Sequence, residues 1–183
     1  MKYNLVLIAC FVCHITFAQD WDLGAKAGVN VSWGEVKNFP IDLSSAMGFH
    51  VGAYGNTPIN DQLRIQPELL LSVYGWKSET INEKRTLSYL SIPVVVKYYL
   101  LNNFNLHAGP QLSFLIDASD DFDDLLKSTD FGVLFGAEYN ITESLGLGFR
   151  YNLGISNVLD TPETDIKIKS RVLHFSAFYK LSR

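Results

Sequence analysis

The ten residues Leu145–Gly154 read LGLGFRYNLG, with Leu145, Leu147, Phe149, Tyr151 and Leu153 at the odd positions and Gly146, Gly148, Arg150, Asn152 and Gly154 at the even ones. Side chains on a strand alternate between its two faces. This stretch therefore makes a strand with one fully apolar face and one face of glycine, amide and charge. The pattern recurs at strand length along the chain, about eight times in all, and no helical periodicity supplies a layer to cover the apolar faces. A sheet of this kind is satisfied if it closes on itself and turns its apolar faces outward to lipid and its polar faces inward. The expected fold is all-β: an eight-stranded antiparallel transmembrane up-and-down β-barrel. A soluble eight-stranded barrel would need the reverse arrangement, with the aromatics inside.

The strands read from the alternation are Asp22–Trp33, Ala46–Asn56, Gln62–Gly75, Thr86–Leu100, Phe104–Ile116, Phe131–Tyr139, Leu145–Gly154 and Ser170–Leu181. Pro93, in the fourth, removes a ladder donor and predicts a bulge or local irregularity. Thr57–Asp61, Leu101–Asn103 and Asn140–Ser144 are short turns, and the connections near Val36, Glu79, Asp121 and Thr161 are long. Bacterial outer-membrane barrels alternate in this way, with short turns on the periplasmic side and longer loops outside. Trp21, Tyr98, Phe104, Tyr139 and Tyr179 fall at one set of strand ends, and Trp33, Trp76, Phe114, Phe131 and Tyr151 at the other. Two such belts are expected at two water–lipid boundaries.

The N-terminus fits export. Met1–Asn4 carries Lys2, Leu5–Phe17 is apolar, and Ala18 precedes Gln19 and Asp20. This reads as a signal peptide over 1–18, cleaved after Ala18; the run is shorter than the roughly 20 residues a spanning helix needs. A lipoprotein cleavage box at Leu7–Cys10 is the rival reading. The barrel domain is then 19–183. Both cysteines, Cys10 and Cys13, lie in the signal, so disulfides and thiol chemistry are excluded from the mature chain. Acidic residues outnumber basic ones, 19 to 15, and no basic surplus is available for nucleic acid.

Strand parity also nominates functional residues. Lys26, Arg64, Glu68, Lys97, Glu138, Arg150 and Lys180 face the lumen, where buried charge must be paired. They form a structural charge network in a plugged barrel or, alternatively, line a narrow pore. His50, His107 and His174 face inward as well, with Ser113 and Ser176. A hydrolase like the lipid A deacylase would need such a histidine and serine in contact with an orienting acid, on a lipid-facing site. No G-x-S-x-G elbow is present, and the expectation is that the chain is not an enzyme and holds no cofactor. Asp117, Asp120, Asp121, Asp123, Asp124 and Asp130 crowd the third long connection. They do not follow the calcium-loop spacing, and read as a solvated tip or a loop that binds divalent cations and bridges to lipopolysaccharide.

Ser91–Tyr99 (SIPVVVKYY), Ala108–Leu115 (AGPQLSFL), Asp130–Tyr139 (DFGVLFGAEY) and Arg150–Val158 (RYNLGISNV) resemble, in that order, the outer-membrane β-barrel domain of the "porin family" proteins common in Bacteroidetes. The resemblance covers Gln19–Arg183 and implies an OmpA/OmpX-sized barrel in a Gram-negative outer membrane. It also implies contact with outer-membrane lipid and lipopolysaccharide, and with the barrel-assembly machinery during insertion. The chain departs from the family in one respect: its last residues are Lys180, Leu181, Ser182 and Arg183 rather than an aromatic, so Phe178 or Tyr179 takes the place of the usual terminal signal. The role expected is structural or interactive, through the outer loops toward an extracellular or envelope protein. A small-solute pore is the alternative.

Overall fold

Alternation carries the chain into eight strands, and their ladders close. The computed structural model describes residues 21–37, 43–78, 83–118, 127–157 and 167–181; the expected signal peptide, 1–18, lies outside them. The strands are β1 (Asp22–Lys37), β2 (Leu43–Pro58), β3 (Leu63–Ser78), β4 (Glu83–Leu101), β5 (Phe104–Ala118), β6 (Thr129–Asn140), β7 (Leu145–Gly154) and β8 (Lys167–Lys180). Each pairs antiparallel with its sequence neighbour, and β8 returns to β1 from Gly24↔Lys180 to Lys37↔Lys167. Closure leaves no free edge among the described strands, so the ladder donors and acceptors of the wall pair strand to strand rather than with water.

The β7 limits coincide with the alternating stretch, but most other strands run further than the alternation does. β1 continues past Trp33 to Lys37, β3 past Gly75 to Ser78, and β4 and β8 begin at Glu83 and Lys167. The longest extensions are at the end with the long connections. At the other end β2 runs on through Thr57 and Pro58, which pair with Ile65 and Arg64 rather than opening the turn, and β4 and β6 gain Leu101 and Asn140. At the long-connection end the ladders β1–β8 and β3–β4 continue where the apolar alternation has stopped. Outside the membrane both faces of a hairpin meet water, so hydrogen bonding can persist where the pattern does not. As a result Asp117 stands on β5 and Asp130 on β6, rather than in a loop.

Pro93 does not introduce a bulge: β4 keeps one register on both sides of it against β3 and against β5. The register shifts fall elsewhere, between Ser88 and Tyr89, between Tyr99 and Leu101, and on β2 between Ser45 and His50. A proline removes one donor without adding a residue, so a ladder can skip it in register. Two of the three short turns are closed by side chains: Asn60 Oδ1 accepts from the amides of Gln62 (3.0 Å) and Leu63 (2.8 Å), and Thr142 Oγ1 accepts from Leu145 (2.9 Å). Asn and Thr favour such turns for this reason.

The outer wall is apolar and exposed. Met47 (67 %), Phe49 (56 %) and Leu71 (52 %) are typical of a band that includes Leu69, Val96, Phe135, Leu147 and Phe175. Soluble monomers rarely expose so continuous an apolar surface. Tyr98, Tyr139 and Tyr179 stand exposed at the short-turn end, and Trp33 packs against Tyr151 (6.2 Å between ring centroids) at the other.

Inside, the tight curvature of eight strands leaves room for large side chains only beside small ones. Tyr54 lies over Gly24 and Phe178 over Gly146, each its cross-strand partner. A Cβ on either glycine would stand 2.2 Å from the ring. We expect Gly24→Val to displace Tyr54 and to lower stability by about 1–3 kcal/mol, as overpacking does, measured by denaturant unfolding of the refolded barrel in micelles.

Candidate functional site

The lumen is built in layers. At the long-connection end Tyr74, Leu87, Tyr89 and Val172 form a buried apolar cluster against Leu115 and Ala118. Below it lies a histidine layer. Asn30 Nδ2 donates to the carbonyls of Phe49 (3.0 Å) and Val73 (3.2 Å), which leaves its Oδ1 to accept from His50 Nδ1 at 2.7 Å. His50 Nε2 then accepts from Ser176 Oγ at 2.8 Å. His174 packs edge-on between His50 (5.3 Å) and Tyr74 (6.0 Å).

The third layer is ionic. Lys26 Nζ lies 3.0 Å from both Glu68 Oε1 and Glu138 Oε1. Arg150 reaches Glu68 with both terminal nitrogens (2.8 and 2.7 Å) and Glu138 with one (3.0 Å), and Lys97 bonds Glu138 Oε2. All five side chains are almost wholly buried. Arg150 Nε donates to His107 Nε2 at 2.8 Å. A guanidinium can only donate, so His107 accepts as a neutral imidazole with its proton on Nδ1, near Asn105 Oδ1 (3.3 Å). Glycines make the space: Lys26 faces Gly52, Glu138 faces Gly148 and Arg150 faces Gly136 across the ladders. A Cβ on Gly136 would be 2.8 Å from Arg150 Cγ.

Of the seven lumen residues nominated from parity, Lys26, Glu68, Lys97, Glu138 and Arg150 are thus brought together. Arg64 and Lys180 are not. They sit at the short-turn rim, partly exposed, and share Asp22 at 3.0 and 2.6 Å. Parity puts a residue on the inner face, but its height depends on strand tilt and stagger, and both of these residues lie at strand ends. Parity alone did not join Asp22 to this group or His107 to Arg150. The glycine facing Arg150 was the available signal for the second pairing.

Asp120, Asp121, Asp123 and Asp124 lie outside the described residues. Asp117 is exposed at the end of β5, and Asp130 is buried and bonded by Ser156. Among the described residues no three His, Cys, Asp or Glu side chains converge as a metal site. Ser113 pairs with Ser91 (3.0 Å) and with Gln111 (3.1 Å), not with a histidine. The Ser176–His50–Asn30 chain has the order of a nucleophile, base and orienting group. It is enclosed in the lumen, where the neighbouring void is about 10 Å³, room for about one water.

A closed antiparallel eight-stranded barrel with an apolar outer band and a polar, ion-paired interior defines the class of small outer-membrane barrels. The chain belongs to the outer membrane protein beta-barrel domain family, which it matches over residues 17–160; β8 lies beyond the match and closes the barrel. Neisserial surface protein A is similar in structure, with a TM-score of 0.58 at 18 % identity over 89 % of this chain and 100 % of that one. So is Ail, the attachment invasion locus protein of Yersinia pestis, in complex with the heparin analogue sucrose octasulfate (TM-score 0.57, 14 % identity, 88 % and 99 % covered). The outer membrane protein OprG of Pseudomonas aeruginosa follows (TM-score 0.53, 12 % identity, 90 % and 98 %). A search of curated proteins by sequence finds no match. The protein is an integral barrel of the outer membrane.

Proposed function

We propose that this barrel is a closed-lumen envelope protein that acts structurally or by interaction, through its outer connections, and does not conduct solutes. The observation that carries this reading is the filled cross-section. An apolar cluster, a histidine layer and a five-member ionic layer follow one another along the axis, and an eight-stranded interior is just wide enough for side chains to fill. Such a wall is a rigid platform, and loops on rigid scaffolds commonly carry recognition. The outer connections hold Asp120, Asp121, Asp123, Asp124, Asp160, Glu163 and Asp165. That composition suits a basic partner surface, or divalent cations shared with lipopolysaccharide. The partner differs in charge from the sulfated sugar bound to Ail.

Contact with outer-membrane lipid along the apolar band and with the barrel-assembly machinery during insertion belong to the same proposal. In it the Ser176–His50–Asn30 chain is a lumen strut, and Ser176→Ala leaves envelope lipid composition unchanged.

The deciding experiment is planar-bilayer recording on the refolded mature chain. No discrete conductance steps are expected. Reproducible steps that vanish in Glu138→Gln or Arg150→Ala would replace this reading with a gated pore.

A further inference from the structure

At the other end of the barrel, below the ionic layer, the lumen opens into a vestibule of about 540 Å³. It faces the side of the short turns, which is periplasmic in outer-membrane barrels. Its floor is the edge-to-face pair Tyr54 and Phe178 (6.3 Å), with Lys97 Nζ 5.9 and 5.6 Å from their ring centroids. Asp22, Asn56, Arg64, Gln66, Lys97 and Lys180 are among its lining residues.

Two features of this lining call for a ligand. The first is charge. Lys26, Lys97 and Arg150 meet only Glu68 and Glu138 in the ionic layer, so three buried cations share two carboxylates. At the rim Arg64 and Lys180 share Asp22, and Glu143 also lines the mouth. The one-cation excess is confined to the buried layer, since at the exposed rim Asp22, Asp61 and Glu143 stand against Arg64 and Lys180. An unmatched charge in a low-dielectric interior is costly and favours an incoming counter-charge, and Lys97 is the member of the buried layer that also lines the vestibule.

The second feature is hydrogen bonding. Gln66 Oε1, in the vestibule wall, is a buried acceptor without a partner, and Asn56, whose side chain is hydrogen-bonded to Tyr99, leaves its Oδ1 open beside it. The Gln66 amide cannot simply be reversed, because its Nε2 donates to Glu68. Buried acceptors of this kind are normally paired, and the donor they lack is an O–H or N–H.

We infer that the vestibule is a binding site for a small hydroxylated oxyanion, a phosphate or carboxylate on a short polyol. The oxyanion is set against Lys97 and Arg64, and the hydroxyl groups donate to Gln66 and Asn56. The inference does not depend on the role proposed for the outer connections.

The test is a backbone-amide NMR titration of the refolded, isotope-labelled chain in micelles with glycerol phosphate and with glycerate, using inorganic phosphate and glycerol as single-feature controls. Saturable shifts around Lys97, Asn56 and Gln66 are expected with one or both hydroxylated anions. Glycerol should give none, and inorganic phosphate should bind more weakly. Which of the two anions binds tighter identifies the headgroup. Lys97→Gln weakens binding by about tenfold or more. If that variant does not refold, Arg64→Gln at the partly exposed rim serves for the anion contact. Gln66→Leu removes the advantage of glycerol phosphate over inorganic phosphate and leaves the latter's affinity in place. Linear, non-saturating shifts, equal binding of glycerol, or an unchanged affinity in both cation variants would each overturn the inference.

Discussion

Glu138→Gln is expected to destabilise the folded barrel by about 3–5 kcal/mol, the range found when one partner of a buried ion pair is removed. Glu138 Oε1 accepts from Lys26 and Arg150, both at 3.0 Å, and Oε2 accepts from Lys97. With a neutral amide there, Lys26 and Arg150 keep only Glu68, and Lys97, at the edge of the vestibule, loses its carboxylate partner. The amide also presents two donors to groups that themselves only donate. The loss is read from denaturant unfolding of the refolded chain in micelles. A second substitution separates charge from packing: Lys97→Met in the Glu138→Gln background should recover part of the loss, with a coupling of about 0.5–3 kcal/mol between the two sites. A single variant within about 0.5 kcal/mol of the parent, the usual range for surface positions, would mean that the ionic layer is solvated and does not plug the lumen.

Leu71→Arg tests the outer face. Leu71 stands near the middle of β3, exposed, beside Val51 on β2 and Leu90 on β4. On a surface in water this substitution would shift stability by no more than about 0.5 kcal/mol. On a lipid-facing strand at the bilayer midplane, arginine costs about 2–4 kcal/mol. The two environments therefore predict results that do not overlap. The measurement is unfolding in lipid vesicles, with the boiled and unboiled gel mobility of the refolded chain as a check on folding. The parent should fold only with micelles or vesicles, and its band should move on boiling. A parent that folds in buffer alone, or a Leu71→Arg variant of unchanged stability, would place the apolar band in water.

The limits of the sequence reading follow from what a strand's period encodes. Alternation in Leu145–Gly154 separates Leu147 and Phe149 from Gly148 and Arg150 with no reference to any other strand, because adjacent side chains must point to opposite faces. The strand number, the outward apolar band and the inward charges were legible for the same reason. The outer extents of β1, β3, β4 and β8 were not, since their final residues pair beyond the lipid, where no alternation is required. The behaviour of Pro93 was legible in part: the ladders to β3 and β5 both skip pairs beside it, the expected irregularity, but whether a ladder skips or bulges is decided by the partner strands.

The same division holds for the site. By itself the sequence determined that Lys26, Arg64, Glu68, Lys97, Glu138, Arg150 and Lys180 share the inner face. Only the tertiary structure decided which of them meet. Height along the axis is set by strand tilt and by the stagger that closure imposes, and neither is written in any one strand. Closure lifts Lys26, Glu68, Lys97, Glu138 and Arg150 to one level. It leaves Arg64 and Lys180 at the rim with Asp22, and the space between the two groups becomes the vestibule.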